Sequence, residues 1–209
     1  MRAVLVCLCL SAALSGCVKA LPFKFDLHLA ARKEITGRAV VQGGEVVLVA
    51  PDGYCVDQRS TRDGPEGAFV LWGSCAAISH NAKAPKPGQK AMLSATIGPV
   101  SADPVETAFA SYESFFRSEA GRAALARSGK ARDVKILMVK QDRHRLLLKI
   151  SDRSARLFSP VEQVYWREIT GVGGHVSALS VLPLSGSALA DEAQLELLQA
   201  FDDTVQDAN

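Results

Sequence analysis

The sequence predicts an α+β fold, a mainly antiparallel sheet with a central helix and a C-terminal helix packed on it. Three observations predict it. Stretches rich in β-branched residues come in runs separated by short Gly-rich or polar turns. One amphipathic segment with helix-start chemistry divides those runs, and a second closes the chain. With 48% hydrophobic residues and no long low-complexity tract, the chain has the composition of an ordinary core-forming domain.

In order, Phe23-Lys24-Phe25-Asp26-Leu27-His28-Leu29 alternates apolar and polar side chains. That is the period of a strand with one buried face, or of a segment lying on a membrane, and it leaves His28 on the polar side. Residues 35–41 and 45–50 form a hairpin in which Gly43-Gly44 supplies the positive φ of the turn. Residues 68–76 are a largely apolar run and read as a central, well-buried strand. Residues 82–90, with Pro85, Pro87 and Gly88, read as a loop, and 91–100 as a strand.

Asp103-Pro104-Val105-Glu106 opens the central helix, with Asp103 as the cap, Pro104 in the first turn and Glu106 reaching back. Val105, Phe109, Tyr112 and Phe116 make its apolar stripe, which Ala108 and Phe115 widen. Gly121 is the expected interruption and Ser128-Gly129 the end. Residues 134–139 and 145–150 pair about Gln141-Asp142-Arg143, and residues 163–169 and 176–182 about Gly171-Val172-Gly173-Gly174. Residues 190–206 form the last helix, which buries Leu195, Leu198, Phe201 and Val205.

Ahead of these elements, Met1-Arg2 and an apolar run over residues 3–14 lead into Leu14-Ser15-Gly16-Cys17. The run is well short of the ~20 residues a spanning helix needs. This pattern resembles the lipobox of bacterial lipoproteins. The resemblance implies that residues 1–16 are a signal peptide and that Cys17 carries the acyl chains (palmitate among them) that anchor the protein in membrane lipid. Residues 17–34 are then a tether and first strand, and 35–209 a single domain in the periplasm. Val18 is not the Asp that holds some lipoproteins at the inner membrane, which favours the outer membrane. A plain secretory signal peptide is the competing reading.

Five cysteines sort by this scheme. Cys7 and Cys9 leave with the leader and Cys17 is the lipid site. Cys55 and Cys75 remain as an even pair in a disulfide-permissive compartment, too far apart for a redox Cys-x-x-Cys, so a structural disulfide is expected.

Gly53-Tyr54-Cys55-Val56-Asp57, Gly73-Ser74-Cys75-Ala76, Gly121-Arg122-Ala123-Ala124-Leu125 and Tyr165-Trp166-Arg167 resemble segments of a lipoprotein family of alphaproteobacteria, and the likeness carries over no activity. The element order, with the turn Pro51-Asp52-Gly53-Tyr54, resembles the PsbP/Mog1-like sandwich family over residues 45–206.

No catalytic set is legible. The chain has no nucleophile elbow, and Ser74 stands in a run without a sharp strand-to-helix turn. His28, His80, His144 and His175 are scattered, without metal-ligand spacing, and read as surface or loop residues; no cofactor is expected. The formal net charge of +2 is too small to direct the chain to any one partner, but residues 117–156 are strongly basic and residues 190–209 acidic. The basic stretch either faces an anionic lipid, cell-wall material or an acidic envelope protein, or is a solvated face; nucleic acid is not expected. Arg143 and Arg145, with Tyr165 and Trp166, are the candidate partner surface. Because neighbours on a strand point to opposite faces, the two cannot both be buried against one layer: an exposed one would favour a binding surface, and burial under a helix is the commoner alternative. A membrane-anchored, non-catalytic binding or structural module is the expected function. The alternative is an envelope hydrolase or thiol enzyme whose site is assembled from distant residues.

Overall fold

A computed structural model describes residues 35–142, 144–154 and 159–209. The lipobox, Cys17, the alternating segment with His28, and Arg143 lie outside the described residues. The domain is α+β. β1 (Arg38–Val41) and β2 (Val46–Val49) form the first hairpin, joined by a one-turn 3-10 helix over Gln42–Gly44. β3 (Tyr54–Val56), β4 (Arg62–Gly64) and β5 (Gly67–Ser74) follow, then a one-turn helix α1 (Cys75–Ile78) and β6 (Ala91–Val100). α2 (Phe109–Arg117) and α3 (Glu119–Leu125) make the central helical layer. β7 (Val134–Gln141), β8 (Leu146–Asp152), β9 (Val164–Val172) and β10 (His175–Pro183) form a second run before α4 (Asp191–Gln206).

All strands after β2 join one antiparallel sheet of order β3-β5-β6-β10-β9-β8-β7, with β4 beside β5. The period-two rule then sorts the side chains. One face carries Val70 and Trp72 of β5, Leu93 and Ile97 of β6, Leu179 and Val181 of β10, and Trp166 of β9; it packs on α4 and the β1–β2 hairpin. The other carries Leu148 and Ile150 of β8 and Tyr165 and Ile169 of β9, beneath Phe109 of α2 and Leu125 of α3.

Several expectations change. The central helix breaks at Ser118, not at Gly121. Ser118 takes an extended backbone and its hydroxyl accepts the Gly121 N–H, capping α3. Gly121 is there for space, since a Cβ would stand 2.0 Å from the Phe115 carbonyl oxygen. Asp103 does not cap the start; the segment enters through a 3-10 turn at Val105–Ala108 with no side-chain cap. The run after β5 does turn sharply, because Ser74 precedes helix α1. β5 itself is one strand in from the edge and fully buried on one face only. His175 is buried at the head of β10, its Nδ1 donating to the Gly98 carbonyl at 2.9 Å, because the pairing of β10 with β6 places it opposite Val100. Cys55 on β3 and Cys75 at the start of α1 are joined in a disulfide.

Candidate functional site

Tyr165 and Trp166 do not contribute to the candidate partner surface as exposed groups. Tyr165 and Trp166 do point to opposite faces, but both faces are covered there, and both side chains are buried, 2% and 1% exposed. Tyr165 lies under the guanidinium groups of Arg127 and Arg167; Trp166 lies beneath α4, with its Nε1 donating to Asp191. Arg145 is not a free surface charge either. It donates to both Asp142, through Nε and Nη2 at 3.0 and 2.7 Å, and Gln199 of α4.

Two cavities take the place of that surface. The first is polar, about 570 Å³, and opens between α4 and the turns at the ends of β7 and β9; Glu106, His144, Arg145, Gln199, Asp202 and Gln206 are among its walls. Beneath it is Glu168, which shares the α4-facing side of β9 with Trp166 and Thr170 and is wholly buried. No donor reaches either of its oxygens, the nearest cation, Arg145 Nη1, is 4.0 Å away, and the hydrogen bond its carboxyl makes is to the Asp202 carboxylate. Burial, and then the negative charge of Asp202, push its acid dissociation up to about 9. Glu168 is therefore a neutral acid at pH 7. At Asp142 burial also opposes the charge, but hydrogen bonds from Arg145 and the His144 N–H outweigh it and hold the carboxyl below its usual range.

The rest of this cavity is already satisfied from within. Gln206 Nε2 donates to Asp202 Oδ1 and to the Gly171 carbonyl at 2.9 and 3.1 Å; Gln199 Nε2 donates to Asp203 at 2.6 Å. Among the described residues no three His, Cys, Asp or Glu side chains stand together as metal ligands. The arrangement stitches α4 to the sheet and holds one proton at Glu168.

The second cavity is apolar, about 520 Å³, and lies between α2 and the sheet. Tyr112, Phe115 and Phe116 roof it, and Ile169, Val176 and Ala178 floor it. It exists because α2 covers β7 to β9 but leaves β6 and β10 partly open. Phe115 on its roof is 44% exposed. The signal for this cleft was the apolar stripe of α2, too wide for the strip of sheet it covers. Glu168 was legible only as an acid in phase with the buried residues Trp166 and Val172; its meeting with Asp202 is a tertiary fact.

Comparison with known proteins found no matching family model, no matching curated protein and no matching solved structure. Among the described residues no helix is long and apolar enough to cross a membrane.

Proposed function

We propose that the chain is a lipoprotein of the bacterial envelope, acylated at Cys17, whose domain binds a ligand or partner and does no chemistry on it. The PsbP/Mog1-like likeness belongs to the same proposal, as a scaffold reading. The observation that carries the binding reading is the contrast between the two cavities. Glu168, whose dissociation burial pushes up to about 9, is completely covered, and a general acid must reach the proton it moves. The apolar cleft is open, and apolar concave sites of this size are where small ligands bind. The enzyme alternative retains one specific support, the Glu168–Asp202 pair assembled from a strand and a distant helix.

The tests are separate. Fractionation of the wild type and Cys17→Ala addresses the anchor; equal solubility of both in the periplasm removes the lipoprotein reading. Crosslinking in intact cells addresses binding, and a wild-type protein that captures no envelope lipid, polymer or protein removes that reading. A hydrolytic activity lost on Glu168→Gln without loss of fold would replace it with the enzyme.

A further inference from the structure

We infer that the cleft beneath α2 binds a single-chain anionic amphiphile, with its acyl chain over Ile169, Val176 and Ala178 and its acidic head at Arg167. This deepens the binding reading above and rests on it.

The strand register supplies the geometry. Ile169 pairs with Ala178, and Arg167 with Ser180, across β9 and β10. Arg167 thus stands two residues along from the cleft floor on the same face, about 7 Å away. Its guanidinium donates to Ser180 Oγ at 2.9 Å and rests on the Tyr165 ring.

Charge supplies the second half. Of the other half-buried cations among the described residues, Arg145 faces Asp142 and Lys149 faces Asp191, while Arg122 donates to the Arg117 backbone carbonyl. Arg167 is half-buried and has no carboxylate within ion-pair distance among the described residues. A partly desolvated guanidinium without a counter-charge is complementary to an anion, and its planar fork suits a carboxylate or phosphate.

The cleft wall argues for an acyl chain over a peptide. The polar groups lining it are the hydroxyls of Thr96, Ser111 and Tyr112 and the backbone at Gly98 and Ser177. A buried peptide would bring an N–H and a C=O per residue, each costly to leave unpaired, whereas methylenes bring none. A fatty acid and a lysophospholipid share the required chemistry, an acyl chain with an anionic head.

The test uses the full-length protein in native envelope membranes and a photoactivatable palmitate. We expect crosslinks on the α2 and β9–β10 peptides. Unlabelled palmitate should displace them if a free fatty acid is the ligand and lysophosphatidylglycerol if a phospholipid is; hexadecanol, which lacks the charge, should displace them poorly. Arg167→Gln should weaken displacement roughly tenfold. Ser111→Phe, at an exposed position on the roof of the cleft, should abolish labelling with the melting temperature unchanged. Labelling elsewhere, or labelling indifferent to both variants, overturns the inference. So does a concentration-dependent dimer that closes the cleft to the probe. If the cell crosslinking of the previous section captures a protein while palmitate and lysophosphatidylglycerol leave the cleft unlabelled, this inference fails and the binding reading stands.

Discussion

The two faces of the sheet are covered to different extents, and helix length explains most of the difference. α4 has 16 residues, about 24 Å of helix at 1.5 Å per residue. It packs on β9, β10 and β2, and Leu198, Phe201 and Val205 are fully buried. With the β1–β2 hairpin beside it, this face is closed from β5 to β9. α2 has nine residues, about 14 Å, before Ser118 turns the chain. Phe69 and Leu71 of β5 and Ala178 and Leu182 of β10 are accordingly only half-buried on that side. One face buries its apolar side chains almost completely, its cavity being polar and at the edge, and the other leaves apolar side chains half-covered.

The largest effect should come from the sealed face. Trp72 is fully buried, donates Nε1–H to the Gly37 carbonyl at 2.8 Å and meets Phe201 edge to face at 5.2 Å. Trp72→Ala should cost about 3–5 kcal/mol in urea unfolding. Phe116→Ala, on the half-covered face, should cost well under half of that. Equal losses would mean that the two faces do not differ energetically.

Much of this architecture was legible beforehand. β6 spans the expected residues 91–100, and α4 starts one residue inside its expected range, because period and Gly punctuation act locally. What was not legible depends on two-sided cover. Tyr165 and Trp166 had to point to opposite faces, but whether the second lay exposed or under a helix was open, since a strand alone does not say whether a second layer lies above it. Leu195 is only half-buried while Leu197 and Gln194 are buried, which places the buried stripe of α4 slightly around the helix from the expected one. The Ser118 break was hidden because Gly121 offered a stronger local signal.

The next effect sharpens the comparison at the edge of the sheet. The Cys55–Cys75 bond closes a loop with a sequence separation of 20 and ties β3 to α1. Its loss in a Cys55→Ser/Cys75→Ser variant should destabilise by roughly 3 kcal/mol in the chain-entropy account. Thiol labelling of denatured, unreduced protein should find neither Cys free. Ready labelling of both would return the pair to a redox role.

Glu168 adds a pH dependence that belongs to the sealed face. Its folded value of about 9 lies above the ordinary carboxyl value of 4.5, so folding takes up a proton between those limits. Its contribution is most favourable below about pH 4.5, and stability falls as pH rises toward 9 because the unfolded chain holds fewer protons. Glu168→Gln mimics the neutral acid and should flatten that decline, gaining on the order of 2 kcal/mol at about pH 6 over the wild type. Parallel stability–pH curves for the two proteins would show that Glu168 is ionised in the fold.

The smallest effect is the most discriminating for the open face. Phe115 is 44% exposed, and its ring centroid lies 5.3 Å from that of Phe116, in an edge contact near the surface. Exposed side chains outside caps, cores and ion networks change stability by about 0.5 kcal/mol or less when replaced. Phe115→Ala should therefore unfold at nearly the wild-type urea concentration. It should nonetheless bind an apolar dye such as ANS more weakly, because the variant removes roof from the cleft without touching the packed layer beneath. A loss of stability comparable to that of Phe116→Ala would mean that Phe115 belongs to the core and that the two faces are sealed alike.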